Sequence, residues 1–284
     1  MSRPSFNLIG PGRLGRSLAR LLHASKAVRV QAIVGRDPQN AREALAFIGA
    51  GELAQLADLP AADFTLIATA DDAIAGVADA LARQGRVRAG EVVFHCSGAL
   101  GSEILAPLKP CGALLASVHP LRSFAAPEKV IAEFSGTVCA AEGEDEALLR
   151  LKPLFAAIGG RSIAIAPEHK LLYHAGAVLA CNHLVALLEA ALLSLEAAGL
   201  PRDAAWGALR PLIDGTLANI DARGTRGALT GPLARGDRAT VVQEIAATAA
   251  LDSELGRCYA QMSRFALRLT PPENPISLND LPLP

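Results

Sequence analysis

His119 lies in Ser117-Val-His119-Pro-Leu-Arg122-Ser123-Phe124, at the end of a β-rich run. An imidazole titrates near neutrality. It can therefore give a proton to, or take one from, the oxygen or nitrogen of a carbonyl, alcohol or imine as hydride moves. Arg122 and Ser123, just beyond it, are candidates to hold a substrate carboxylate, and Ser97 in His95-Cys-Ser97-Gly-Ala is a candidate to hydrogen-bond the reacting oxygen. The competing reading of His119 is a histidine satisfied by backbone at a strand end before Pro120. A second group sits on a helical stretch. Spacings of three and four put Lys170, Tyr173, His174, Ala177 and Cys181 on one face, with Asn182 at its edge. Such a polar stripe on an apolar helix either meets solvent or lines a cleft, because buried Lys and His without partners would be costly. The third group, Thr230 and Arg235 in Ala228-Leu-Thr230-Gly-Pro-Leu-Ala-Arg235-Gly-Asp237, is suited to an anionic substrate. The alternative is an interhelical loop whose Asp237 caps the next helix.

Hydride chemistry needs a carrier, and Gly10-Pro11-Gly12-Arg13-Leu14-Gly15 has the form of a dinucleotide-binding turn. It directly follows a strand, Phe6 to Ile9, and opens a helix, Leu14 to Ala24. Exposed N–H groups and the helix dipole at such a turn receive phosphates. Twenty residues past Gly15, where an NAD-preferring site places a carboxylate, stand Gly35 and Arg36. Without the negative charge, and with a guanidinium to pair with a 2′-phosphate, the site favours NADP. Arg36 is otherwise a solvated turn residue, and Arg13 either contacts phosphate or faces solvent. Thr69 and Ala70, closing a later strand, are expected on the nicotinamide side.

The elements that must position these residues read as an N-terminal doubly wound α/β sheet followed by an all-α region. Strands are expected at Val28 to Val34, Phe64 to Ala68, Glu91 to Phe94, Ala113 to Val118 and Gly136 to Ala140, with helices at Ala73 to Gln84 and Glu144 to Ile158. After Ile163-Ala-Ile165, Glu168 to Ala198 reads as one long helix, and further helices cover Ala204 to Arg223 and Ala239 to Leu269, separated by a loop from Gly224 to Arg238. The expected domains are 1–165 for the nucleotide, 166–270 for substrate and dimerisation, and a loosely held Pro-rich tail, 271–284.

With 284 residues, two domains are the better prior than one core. Apolar residues make up 51% and charged residues 19%, with 27 Lys+Arg against 28 Asp+Glu, which argues against disorder and against a nucleic-acid grip. The five cysteines form no CxxC pair and the six histidines no HExxH, so no metal is expected. The polar start Met1-Ser-Arg-Pro lacks a secretory core, and no run of about 18 uninterrupted apolar residues appears, so the expectation is a cytoplasmic protein without a membrane partner.

GPGRLG, HCSGAL, SVHPLRSF, YHAGAVLACN and ALTGPLARGD, in this order over nearly the whole chain, resemble a bacterial family of Rossmann-like proteins with a helical C-terminal domain of unknown function, labelled NADP oxidoreductases. That family is similar to prephenate and β-hydroxyacid dehydrogenases, pyrroline-carboxylate reductase and ketopantoate reductases. The resemblance implies a homodimer formed through the helical domain. By the prephenate dehydrogenase motif it also implies functional roles for Ser97 and His119. Ser123 departs from that motif, which continues with glycine. Lys170 matches the catalytic lysine of β-hydroxyacid dehydrogenases, yet the residue four further on is His174, and Asn182 lies eight beyond that. A small oxo or imino carboxylate, such as a ketopantoate-like 2-oxo acid, is the substrate class implied. A non-catalytic NADP sensor signalling through the helical domain is the alternative, and a transferase using another Rossmann cofactor is disfavoured by Gly35-Arg36.

Overall fold

The computed structural model describes residues 3–283; Met1 and Ser2 of the polar start, and Pro284 of the tail, lie outside the described residues. The chain divides into two compact units, Met1–Cys181 and Asn182–Pro284. The division falls after Cys181 rather than near residue 165.

In the first unit the strands are β1 (Ser5–Ile9), β2 (Arg29–Val34), β3 (Glu52–Leu53), β4 (Phe64–Ile67), β5 (Val92–His95), β6 (Leu114–Pro120), β7 (Val138–Gly143) and β8 (Arg161–Ala164). They form one sheet in the order β3-β2-β1-β4-β5-β6-β7-β8. The strands through β6 run parallel, β7 is antiparallel to β6, and β8 is parallel to β7. The order reverses between β1 and β4, the switch point at which open α/β sheets bind ligands. The six expected strands are all present, and the two-residue β3 and the edge strand β8 are additional to them.

Successive strand side chains point to opposite faces. Leu8, Leu66, Phe94 and Ala116 accordingly enter one buried cluster and Ile9, Ile67, Val93 and Leu115 the other. The first cluster is closed by α1 (Arg13–Ala24), α2 (Pro38–Ile48), α4 (Pro127–Glu133) and α5 (Asp145–Ala157), through Leu18, Ile48, Val130 and Phe155 among others. Phe94 meets Phe6 and Phe155 edge-on at ring separations of 6.4 and 6.2 Å. The second cluster is closed by α3 (Asp71–Arg83) and a 3-10 segment, Ser102–Cys111, through Ile74, Leu81, Leu105 and Leu108.

The long helix expected from Glu168 to Ala198 is two. Helix α6 (Lys170–Ala180) belongs to the first unit and α7 (Asn182–Ala197) to the second, and Cys181 between them, at φ −119°, ψ −67°, is a turn residue whose N–H still donates to the Ala177 carbonyl. No proline or glycine marks the break. By length and composition the run Pro167–Ala197 is apolar enough to cross a membrane, with a mean hydropathy of 1.9 over its most apolar stretch, of which 6% is buried. Scattered polar residues such as His174, Asn182 and Glu189 interrupt the run, so it contains no unbroken apolar stretch of membrane-spanning length.

The second unit continues with α8 (Arg202–Ala228, kinked at Gly224), α9 (Pro232–Arg235), α10 (Arg238–Leu251) and α11 (Ser253–Ala266). Two helical expectations are revised here. The segment expected as a loop contains the end of α8 and all of α9, and the stretch expected as one helix to Leu269 breaks at Asp252, whose carboxylate accepts from Leu255 N–H at 2.8 Å and so caps α11. The tail is not loosely held. Ile276 and Leu281 are buried with Leu233, Val241, Ile245 and Ala260, and Arg264 donates to the carbonyls of Leu278 and Leu281 at 2.7 Å each.

Candidate functional site

The glycine turn links β1 to α1 at the switch point. Gly10 has φ +89°, and a Cβ there would stand 2.7 Å from the backbone of Ala68 and Thr69, so only glycine lets the turn pass against β4. At Gly15 a Cβ would lie 2.5 Å from the Gly10 carbonyl oxygen, which fixes α1 close to the strand. Gly12 is the opposite case, with nothing within 4 Å of a Cβ. Helix α1 starts after it without a side-chain cap, so its first N–H groups have no side-chain partner at the cap, an arrangement that suits an anion. Thr69 places a buried hydroxyl with no partner beside this turn, after β4. Pro11 is buried, Leu14 half-buried, and Arg13 and Ala70 exposed.

The end of β2 explains the missing carboxylate. A Cβ at Gly35 would sit 2.9 Å from the Pro11 ring and 3.0 Å from Ala41 Cβ, so packing already fills the space of a larger side chain. Asp37 is occupied in capping α2, accepting from Gln39 N–H at 3.0 Å. Arg36 is exposed and, among the described residues, paired with no carboxylate. Sequence reasoning passed over Arg16 and Asn40. Arg16 donates through Nε and Nη2 to the Pro11 carbonyl at 3.2 Å each and also reaches Asn40 Oδ1, bracing the turn from behind. Its signal was an arginine immediately after Gly15.

The second part of the site lies at the ends of β5 and β6. His119 leaves β6 with Nδ1 3.3 Å from the Tyr173 hydroxyl of α6. Its ring meets those of Tyr173 and His174 edge-on, at 5.6 and 5.8 Å. Burial, then the neighbouring His174 and Lys170, push His119 down to about 4, so the imidazole is neutral at pH 7. Burial also raises Tyr173, which keeps its proton. His174 Nδ1 is buried without a partner. Gly98 makes this approach possible: a Cβ there would lie 2.5 Å from His174 Nδ1 and 2.9 Å from His119 Nε2.

Ser97 is half of a tight arrangement. Its Oγ donates to Asp71 Oδ2 at 2.8 Å and accepts from Ala99 and Leu100 N–H at 3.2 and 3.0 Å. The one hydroxyl proton and both lone pairs are therefore engaged, and Ser97 holds the turn rather than presenting a free donor. His95, buried beneath it, accepts Ser97 N–H at Nδ1 (3.2 Å) and contacts the Gly101 carbonyl through Nε2 (3.0 Å), which fixes the neutral Nε2–H tautomer. Burial lowers it to about 4.

Lys170 is 1% exposed. Its Nζ donates to Ser117 Oγ at 2.7 Å and to the Ser97 carbonyl at 3.2 Å, with Glu142 Oε1 at 3.8 Å. Arg122 is engaged elsewhere, donating to Glu133 Oε2 at 2.7 Å and reaching Thr137 Oγ1 at 3.5 Å, while Ser123 is exposed. Of the predicted residues the structure therefore brings together Ser97, His119, Lys170 and His174, and adds Asp71, Gly98 and Tyr173. Asn182, Thr230 and Arg235 are exposed residues of the second unit, and Asp237 there caps α10 through Thr240 N–H at 3.2 Å. No group of three or more potential metal ligands occurs among the described residues. A cavity of about 190 Å³ lined by Val118, Leu151, Phe155 and Ile163 contains none of the groups above.

Residues 1–120 match the model of the Rossmann-like domain, and residues 137–265 match the model of a domain of unknown function, DUF2520. The chain thus joins a Rossmann-like domain to a DUF2520 domain, as the motifs led us to expect. No curated protein matches the sequence. Among solved structures, protein TM1727 from Thermotoga maritima is 28% identical, with a TM-score of 0.71, 93% of this chain and 96% of that one being covered. Protein BF3122 from Bacteroides fragilis, provisionally an NADP oxidoreductase, is 22% identical, with a TM-score of 0.78 over 94% of this chain and 99% of its own. An imine reductase from Myxococcus stipitatus, solved with NADP+, shares 15% identity and a TM-score of 0.67, over 93% of this chain and 94% of its own. The last two likenesses establish the fold.

Proposed function

We propose that the protein is an NADP-dependent oxidoreductase acting on a small oxo or imino carboxylate, a ketopantoate-like 2-oxo acid being one candidate. The observation that carries this is the half-buried His119–Tyr173 pair at the carboxyl edge of the same sheet that bears the glycine turn. The imine reductase with bound NADP+ supports the cofactor. So do the uncapped start of α1, the unpartnered Thr69 hydroxyl and the unpaired Arg36, which suits a 2′-phosphate. NADPH supplies the hydride. The chain's own residues manage the proton. Neutral His119 and protonated Tyr173 share one hydrogen bond, so a proton passes from the Tyr173–His119 pair to the substrate oxygen or nitrogen in reduction and returns to it in oxidation. Buried and unpartnered, His174 Nδ1 offers a further hydrogen-bonding atom beside them.

Exposed apolar side chains support a homodimer formed through the helical region: Val185 is 67% and Leu212 66% exposed, and Leu217 and Phe265 are exposed as well. The same exposed side chains favour a second reading, a non-catalytic NADP sensor that signals to a partner. Light scattering of the purified protein is expected to give twice the chain mass; a monomer that instead partitions into detergent or vesicles would overturn the dimer. Titration with NADPH and NADH, followed by a panel of 2-oxo and cyclic imino acids, tests the enzyme. Oxidation of NADPH on one panel member is expected. Binding without turnover would favour the sensor, and binding of neither nucleotide would sink both readings.

A further inference from the structure

Lys170 does not face the open part of the site. Its ammonium is enclosed by Ser117 Oγ, the Ser97 carbonyl and Glu142, and Glu142 in turn accepts from Ser102 N–H at 2.7 Å and Ser102 Oγ at 2.8 Å. This one network joins every segment that carries a proposed acid–base group. Ser117 is two residues before His119 and so on the same strand face. Ser97 begins the turn that contains Gly98, against which both histidines close. Tyr173 and His174 lie one helical turn beyond Lys170 itself. Glu142 is the cross-strand partner of Ser117, so β7 enters the network through the sheet register.

We propose that Lys170 is a positioning residue: its buried ammonium holds the Ser97 turn, β6 and α6 in the arrangement in which His119, Tyr173 and His174 meet, and it transfers no proton. A group with one donor on a serine, one on a carbonyl and a carboxylate as counter-ion has its charge spent inside the protein. The inference rests on the oxidoreductase reading for its catalytic consequence, though not for its geometry. The groups facing His119 are His174, Tyr173 and Lys170 from α6 and Asp71 from α3; those facing Lys170 are Glu142, Glu103, Asp71 and Cys96.

Two variants test it in the full chain. Lys170→Met keeps the stem and removes the charge, whereas Ser117→Ala keeps the charge and removes its shortest hydrogen bond. The first readout is the ring nitrogen shifts of His119 through a pH titration, assigned with His119→Asn, which requires no turnover. In Lys170→Met the His119 titration is expected to move upward, and in Ser117→Ala the signature of the His119–Tyr173 bond is expected to weaken. The second readout is kinetic: kcat is expected to fall on the order of a hundredfold in Lys170→Met, with KM for NADPH within about twofold, because misplacing a catalytic group by about an ångström has that effect. His119 shifts unchanged in both variants would overturn the proposal, as would rescue of Lys170→Met by added primary amines, which would make Lys170 the proton donor. Should Lys170→Met not fold, Lys170→Met/Glu142→Gln removes both buried charges together, and Ser117→Ala decides the geometry alone. A wild-type protein that turns over nothing would sink the oxidoreductase reading while the ring shifts still report on Lys170.

Discussion

The glycine turn and the histidine cluster occupy the same edge of the sheet and are built in opposite ways. The turn is six consecutive residues whose backbone does the work, with side chains excluded by contacts of 2.5–2.7 Å at Gly15 and Gly10. The cluster draws on α3, the turn after β5, the end of β6 and α6, residues more than a hundred positions apart, and its side chains do the work. A site of the first kind fails through one backbone position. A site of the second kind depends on several contacts being kept at once, so its parts respond to one another.

The sharpest test of that contrast is His119→Ala, expected to lower kcat by about 10²–10⁴ while NADPH affinity stays within a few-fold, as for loss of a general acid–base group. Equal losses in kcat and nucleotide affinity would mean that turn and cluster are not separable. Acid should unfold the protein through the cluster. His95 and His119, at about 4 against an ordinary 6.5, stay neutral in the folded state while the unfolded chain takes up protons. Their contribution is therefore complete above pH 6.5 and is lost as pH falls towards 4. At pH 5 the loss is about 2 kcal/mol for each histidine, to be read from urea midpoints; a flat profile from pH 7 to 5 would show that these imidazoles are not held neutral. Gly98→Ala should reduce kcat by roughly tenfold or more by parting the two rings, and unaltered turnover would deny that their approach matters. The smallest effect is expected in the turn's periphery. Arg36→Ala should cost NADPH affinity about tenfold, the scale of one charge-assisted hydrogen bond, and leave NADH unaffected. A parallel loss for both nucleotides would place Arg36 in general packing.

How far each region was legible follows from how it is built. The turn could be read because its signal is contiguous: glycines at fixed intervals between a strand and a helix. Ser97, His119 and the Lys170–His174 face were identified as residues, but their partners were not. Nothing in the order of the chain says that Lys170 reaches Ser117, that Arg122 is engaged by Glu133, or that the Ser97 hydroxyl is already saturated by Asp71 and two N–H groups. Asn182 shares a face with His174 only if one helix runs unbroken through both, and the division between α6 and α7 at Cys181 has no residue type to announce it.

By itself the sequence determined the alternation that makes a sheet buried on both faces, the glycine turn between β1 and α1, glycine rather than a carboxylate at position 35 and the all-α character of the second half. Each of these is a local or periodic property of the chain. The tertiary structure alone decided that Gly35 has no room for a side chain, that Gly98 lets two histidines approach, that His119 is neutral, and that Lys170 is enclosed rather than presented. Those depend on distances between residues far apart in sequence and on the water excluded when they meet.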